Sequence, residues 1–227
     1  PGRSEGAQSR SAQHGGKSSE RRPAAPKALS PAVRSTEGRP VNAARILIVP
    51  GWRNAEPEHW QSLWADRLPN AHRVEQGDWL FPRRQDWVGR LADEILASRG
   101  ERVVLVAHSL GCMATVHLPP EAAARVSAAL LVAPADPERR AQLADFAPVP
   151  HQRLPYRSIL VASSNDPYCP VRLAGAYARA WGSEFLRLEN AGHINVASGL
   201  GEWPQGLQLL AQLGVDIDPA ELLRRAA

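Results

Sequence analysis

From Arg45 onward, short apolar runs alternate with segments in which apolar residues recur at helical spacing. Continuous apolar runs of a few residues are typical of parallel strands that are buried on both faces. The run Ile46–Val49 ends at Pro50-Gly51, and Val103–Ala107 is the clearest of the set. Four more strands are predicted at Ala71–Val74, Ala128–Ala133, Ser158–Ala162 and Phe185–Leu188.

The segments between the strands carry helix signals. Pro57 can occupy the first position of a helix that ends before Pro69, and Asp86 can cap a second helix that ends at Gly100. Further helices are predicted at Leu110–Leu118, Val171–Trp181 and Trp203–Leu213. This alternation predicts an α/β domain, residues 45–227, built on a doubly wound parallel sheet of about six strands.

The first 44 residues have a different composition, rich in Ser, Gly, Pro, Ala and Arg with almost no large apolar side chains. Such a segment cannot bury enough surface to offset its ordering entropy, so we expect a disordered basic tail. Nine basic and three acidic residues lie between Pro1 and Arg45, which leaves −2 of the total formal charge of +4 on the domain. The charge distribution therefore gives no indication of a nucleic-acid partner. An organelle transit peptide is the less favoured interpretation of the tail, because prolines interrupt it and amphipathic periodicity is missing.

Compartment and partners follow from what the composition lacks. No apolar run approaches the length of about 18 residues that spans a membrane, so no membrane association is expected. The two cysteines, Cys112 and Cys169, form neither a disulfide framework nor a metal-ligand pattern. We therefore expect a cytoplasmic monomer that needs no metal and no cofactor.

A nucleophile elbow follows the clearest strand. Ala107-His108-Ser109-Leu110-Gly111 is the G-x-S-x-G pattern with Ala in the first glycine position, and it stands between a strand and a helix. This turn would expose Ser109 at a helix N-terminus, where free N–H groups favour a developing oxyanion. A plain strand-to-helix turn with a serine cap is the alternative. The neighbouring His108 is expected to be structural or part of a pocket wall, because adjacent residues on such a turn point in different directions.

Candidates for an acid and a base lie beyond two later strands. In hydrolases with this elbow the chain order is serine, acid, histidine. Asp166 follows the predicted strand Ser158–Ala162, and His193 follows Phe185–Leu188. The Asp166-Pro167 pair could instead be an ordinary turn. Three such residues in the correct order, each just beyond a strand, predict a catalytic triad of Ser109, Asp166 and His193.

An oxyanion hole would need two N–H donors near Ser109. One is predicted to be the backbone of Leu110, and the other to come from the loop after the first strand, with Trp52 as donor and Gly51 permitting close approach. If the Ala71 strand lies outside the first strand and the Val103 strand on its other side, the chain reverses direction there. Ligands bind at this kind of switch point in open α/β sheets.

Several segments resemble the small serine-hydrolase family of retinoblastoma-binding protein nine and the bacterial YdeN-type proteins. They are Ile48-Val49-Pro50-Gly51-Trp52, Pro57-Glu58-His59-Trp60-Gln61-Ser62, Gln76-Gly77-Asp78-Trp79, Val106-Ala107-His108-Ser109-Leu110-Gly111-Cys112, Ser163-Ser164-Asn165-Asp166-Pro167-Tyr168 and Ala191-Gly192-His193-Ile194-Asn195. The resemblance spans Arg45 to about Leu213 and implies the α/β-hydrolase fold with all three triad residues intact. The family often has a Gly- or Ser-containing turn where this chain has Arg53-Asn54-Ala55-Glu56.

Substrate contacts are harder to derive from the sequence. His59 and Asp78 each follow soon after a strand, so they could line the mouth of a pocket. Gly51 and His108 are further candidates for its wall. Trp60 and Trp64 are interpreted as core residues from their helical spacing.

The predicted function is an esterase-like or amidase-like serine hydrolase that acts on small acyl substrates through an acyl-enzyme. A protein-interaction module that kept the fold with little catalysis is the alternative. Only about two dozen residues separate Ala133 from Ser158, where larger hydrolases of this fold insert a lid. We therefore expect no large lid, at most one short helix in Pro137–Phe146, and a shallow apolar wall made by Trp52 and the Pro134–Phe146 segment.

Overall fold

A computed structural model describes residues 44–224, so the predicted tail of residues 1–44 lies almost entirely outside the described residues. Six parallel strands form one sheet within this range, in the order β2-β1-β3-β4-β5-β6. Each predicted strand is present with shifts of one or two residues at its ends. The strands are β1 (Arg45–Val49), β2 (Ala71–Arg73), β3 (Val103–His108), β4 (Val126–Val132), β5 (Arg157–Ser163) and β6 (Glu184–Leu188).

Helices cover both faces of the sheet, as the doubly wound prediction requires. They are α1 (Trp60–Arg67), α2 (Arg84–Ala97), α3 (Leu110–Val116), α4 (Pro120–Ala123), α5 (Val171–Trp181), α6 (Pro204–Gln212) and α7 (Pro219–Arg224). Alternate side chains of the strands point to opposite faces, so each face receives its own apolar core. Helices α2, α3 and α5 pack on one core, and α1 and α6 pack on the other.

The core beneath α1 and α6 contains the two tryptophans that recur at helical spacing in α1. Trp60 and Trp64 are each 1% exposed and contact Trp203, with ring centroids 5.0 Å and 5.9 Å from it. Their indole N–H groups donate to the backbone carbonyls of Ile194 and Glu202 at 2.8 Å and 2.9 Å. The aromatic spacing in α1 therefore indicates core packing, and it also ties α1 to the loop that follows β6.

Two helix starts differ from the sequence prediction. Pro57 does not begin α1, because the helix starts at Trp60 and the ring of His59 caps it by accepting the Gln61 N–H. Asp86 lies inside the first turn of α2, and the cap comes from Asp145, whose carboxylate accepts the Arg84 N–H at 2.6 Å. A cap supplied from 61 residues away leaves no local signal in the sequence.

The strand order places the chain reversal between β1 and β3, and this confirms the predicted switch point. The segment between β4 and β5 contains two short 3₁₀ helices, Pro137–Arg139 and Ala141–Phe146, where one short helix was predicted. It is too short to form a large lid. No helix in the described part of the chain has the length and apolar character to cross a bilayer.

Candidate active site

Ser109 lies on a sharp turn between β3 and α3 at the carboxyl edge of the sheet. Its φ of 54° is in the region that non-glycine residues rarely adopt. The turn is held by the Ser109 N–H, which donates to the Val132 carbonyl at 3.0 Å. Gly111 is required here, because a Cβ at this position would collide with the backbone carbonyl of Val49. The geometry is that of a nucleophile elbow, with a strained serine presented at a strand-to-helix turn.

The structure brings Ser109, His193 and Asp166 into one hydrogen-bonded series. The Nε2 atom of His193 lies 2.9 Å from Ser109 Oγ, and its Nδ1 atom lies 3.0 Å and 2.9 Å from the two Asp166 carboxylate oxygens. A carboxylate only accepts hydrogen bonds, so Nδ1 carries the proton and Nε2 is free to accept the Ser109 O–H. Asp166 is itself oriented by the Tyr168 N–H, which donates to Oδ1 at 2.8 Å.

Side chains at the end of β5 and directly after it hold the loop that carries His193. The hydroxyls of Ser163 and Ser164 accept the N–H groups of Ala191 and Asn190, each at 2.9 Å. The Asn165 side-chain oxygen accepts the Gly192 N–H at 2.8 Å. Three consecutive residues ahead of Asp166 thus hold the loop that carries His193. This role was not predicted, although the polar run Ser163-Ser164-Asn165 at the end of a buried strand was a signal for it.

His108 also contacts the backbone of His193. Its Nε2–H donates to the His193 carbonyl oxygen at 2.9 Å, and its side chain is 6% exposed. Burial, followed by repulsion from His193 and His59, holds the pKa of His108 well below its ordinary value. The Trp60 indole N–H donates to the next carbonyl, that of Ile194. His108 and Trp60 therefore hold two successive carbonyls of the loop that carries His193. It acts as a positioning residue, which agrees with the structural role expected from its place beside the serine.

The two oxyanion candidates come from two segments next to Ser109, the start of α3 and the loop after β1. The side chain of Leu110 is fully buried, and its backbone N–H starts helix α3. On the β1 loop, the N–H groups of Arg53 and Asn54 are engaged by the carbonyls of Trp79 and Gly51. Neither Leu110 nor Trp52 has a backbone N–H with a partner among the described residues, so both donors remain available. Gly51 is in tight contact with Ser109, because a Cβ at position 51 would lie 2.8 Å from Ser109 Cβ.

A cavity of about 240 Å³ opens beside Ser109. Its wall includes the predicted residues Gly51, Trp52, His59, His108 and His193. The expected shallow apolar wall is only partly present. Trp52, Ala135 and Leu143 contribute apolar surface, but the wall also includes charged residues that the prediction did not consider, namely Arg53, Glu56, Asp136 and Arg140.

His59 and Asp78 have different positions relative to this cavity. His59 lines it and is 2% exposed, and its Nδ1 is occupied as the acceptor that caps α1. Burial, then repulsion from His193 and Arg73, lowers the pKa of His59 from 6.5 to about 4. Asp78 is not among the cavity residues, so its predicted substrate contact is not seen. Its carboxylate instead accepts the N–H groups of Leu80 and Phe81, as in a turn, which also lowers its pKa.

Comparison with known proteins places this geometry in a family. A family model described as serine hydrolase matches residues 46–212. The chain belongs to the serine hydrolase family. A YdeN-like hydrolase from Pectobacterium atrosepticum is 32% identical to it, and the aligned region covers 79% of this chain and 92% of that protein with a TM-score of 0.68. The family resemblance predicted from the motifs is thereby confirmed.

More distant proteins share the fold. The ydeN gene product of B. subtilis is 23% identical, with 75% of this chain and 98% of that protein covered at a TM-score of 0.65. Esterase 2 of Thermogutta terrifontis is 17% identical, with coverage of 82% and 89% at a TM-score of 0.59. These likenesses confirm the predicted α/β-hydrolase fold. No curated protein matches the sequence.

Proposed function

We propose that this serine hydrolase cleaves small acyl esters through an acyl-enzyme formed on Ser109. The observation that carries the proposal is the series of hydrogen bonds from Ser109 Oγ through His193 to Asp166, with distances of 2.9 Å to 3.0 Å. A nucleophile and a base within hydrogen-bond reach, with the base oriented by a third group, is the arrangement that nucleophilic catalysis needs. A binding module without chemistry would not need these three groups in series.

The first half of the reaction transfers the acyl group to the enzyme. His193 Nε2 takes the proton of Ser109 as Oγ attacks the ester carbonyl, and Asp166 stabilises the imidazolium that forms. The backbone N–H groups of Leu110 and Trp52 would then donate to the oxyanion. The tetrahedral intermediate collapses with cleavage of the ester C–O bond, and His193 returns its proton to the departing alkoxide. An acyl ester of Ser109 and a free alcohol result.

The second half uses water in the same geometry. His193 Nε2 removes a proton from the water that attacks the acyl carbonyl, and it then protonates Ser109 Oγ as the carboxylic acid leaves. The loop that carries His193 is held during both halves by the bonds from His108 and Trp60 to the carbonyls of His193 and Ile194.

Esterase activity is proposed rather than amidase activity, because the cavity is small and open and esters have the better leaving group. The test is hydrolysis of p-nitrophenyl esters from acetate to palmitate by the wild type, by Ser109→Ala and by Ser183→Ala. Ser183 precedes β6, and its hydroxyl forms a hydrogen bond with that of Ser158 near the start of β5. Ser183 therefore lies at the amino-terminal ends of the strands, away from Ser109, and its variant is the matched control.

We expect kcat/KM to be greatest for the short acyl chains and to be lost in Ser109→Ala to roughly the level of residual oxyanion-hole catalysis, about 10³-fold over water. Ser183→Ala should keep wild-type rates. Activity that persists in Ser109→Ala would contradict the assigned nucleophile, and a rate that rises steadily towards palmitate would contradict the small open site.

A further inference from the structure

Two arginines flank one tryptophan at the wall of the cavity. The guanidinium carbon of Arg53 lies 4.5 Å from the centroid of the Trp52 ring, and that of Arg140 lies 6.0 Å from it. All three side chains line the cavity beside Ser109. A guanidinium stacked on an aromatic face keeps its planar set of N–H donors directed outward, which is the arrangement that binds a carboxylate.

Neither guanidinium is neutralised by the protein. No described side chain forms an ion pair with Arg53 or Arg140, whereas Arg45 pairs with Glu94 at 2.9 Å. Glu56 and Asp136 also line the cavity, but they are not ion-paired with either arginine, and one Asp136 oxygen accepts the Glu138 N–H. These carboxylates balance the formal charge of the cavity. An anion would therefore be attracted locally to the two guanidinium groups and not to the cavity in general.

The position of Arg53 depends on a turn with two residues in the left-handed region. Arg53 and Asn54 each have a φ of 71°, in the left-handed region that favours glycine. Bonds from their N–H groups to the carbonyls of Trp79 and Gly51 hold this strained turn. The turn places a long cationic side chain where a glycine would leave the cavity wall without charge.

The ring of Tyr168 lies between Arg140 and His193 and contacts both. Its guanidinium carbon lies 4.5 Å from the centroid of Tyr168, and the Tyr168 ring lies 4.4 Å from the ring of His193. Arg140, Tyr168 and His193 line the same cavity as Ser109, so a carboxylate held by Arg140 can belong to a substrate whose carbonyl lies at Ser109.

We propose that the preferred substrates are esters that carry a free carboxylate a few bonds from the scissile carbonyl, and that Arg53 and Arg140 bind this carboxylate. The inference rests on the proposed esterase function and narrows its substrate class. Arg53 and Arg140 are specificity-determining residues under this account, and Trp52 and Tyr168 keep their guanidinium groups in place.

The test compares matched pairs of esters that differ only in charge. One pair places the group on the acyl side, with the mono-p-nitrophenyl ester of glutaric acid against that of glutaric acid monoamide. The other pair places it on the leaving group, with 4-carboxyphenyl butanoate against 4-carbamoylphenyl butanoate. The readout is the ratio of kcat/KM for the acid to that for its amide, corrected for the rates of spontaneous hydrolysis.

We expect the ratio in one of the two pairs to exceed one by roughly fivefold to tenfold, as suits a partly solvated ion pair, and to shrink in 0.5 M salt. Arg140→Gln and Arg53→Gln should each lower it about threefold, and the double variant should bring it close to one. Arg139→Gln, which removes an exposed arginine that does not line the cavity, is the matched control and should keep the wild-type ratio.

Two results would overturn the proposal, and they are distinguishable. If the wild type hydrolyses the carboxamide-bearing ester and the carboxylate-bearing ester with equal kcat/KM in both pairs, the carboxylate preference is wrong and the esterase function stands. If the wild type hydrolyses none of the four esters, both the preference and the proposed function are wrong.

Discussion

The buried imidazole of His59 makes the folded state sensitive to acid. Its pKa is lowered from 6.5 to about 4, chiefly by burial, with contributions from His193 and Arg73. As pH falls below 6.5 the unfolded chain binds a proton at this residue while the folded protein does not. The stability that depends on neutral His59 is therefore complete above pH 6.5 and is lost progressively as the pH falls towards 4.

The size of this effect follows from the two pKa values. Between pH 7.5 and pH 5.0 the difference removes about 2 kcal/mol from the free energy of unfolding. For a protein of this size that corresponds to a decrease of roughly 4 to 8 °C in Tm. His59→Asn keeps a side-chain acceptor at the start of α1 and removes the titrating ring.

The assay is urea unfolding of both proteins at the two pH values. His108, which is also buried and neutral, is present in both and contributes to both acid losses. We expect the loss of stability between pH 7.5 and pH 5.0 to be about 2 kcal/mol smaller in His59→Asn than in the wild type, whatever constant difference the substitution causes at pH 7.5. Equal losses in the two proteins would refute the reasoning, because they would show that His59 is not held neutral by burial.

Two further substitutions separate the chemistry of the site from its folding. Gly51→Ala places a Cβ 2.8 Å from Ser109 Cβ and so displaces the nucleophile. We expect kcat/KM for p-nitrophenyl butyrate to fall about tenfold with little change in Tm, whereas an unchanged rate would show that the loop after β1 shifts without cost. Asp166→Asn removes the charge that orients His193. We expect kcat to fall by a factor of roughly 10³ to 10⁴ while the circular dichroism spectrum stays unaltered. A decrease of less than tenfold would contradict the role of Asp166.

The strands and the elbow could be predicted because their physical signals are local. A parallel strand that is buried on both faces is largely apolar, and β3 is apolar from Val103 to Ala107, with all six of its residues buried up to His108. Small residues around Ser109 are required by steric contacts with the adjacent strand, as Gly111 shows against Val49. The order of serine, acid and histidine then placed the candidate groups at one edge of the sheet.

The remaining features depend on contacts between distant residues. Asp145 caps α2 from the 3₁₀ helix Ala141–Phe146, and so Asp86, which has the better local position, is not the cap. Asp78 follows soon after a strand, as pocket residues do, but its carboxylate is used by the Leu80 and Phe81 N–H groups. The charged wall made by Arg53 and Arg140 was not predicted, because only the folded chain brings these residues to the same tryptophan ring.

The central claim is that Ser109 is the nucleophile, and covalent labelling tests it most directly. A fluorophosphonate reacts with an activated serine without turnover of a substrate, and the modified peptide can be identified by mass spectrometry. We expect a single modification at Ser109 in the wild type and in Ser183→Ala, and none in Ser109→Ala of unchanged Tm. Undiminished labelling of Ser109→Ala, or modification at another serine in the wild type, would contradict it.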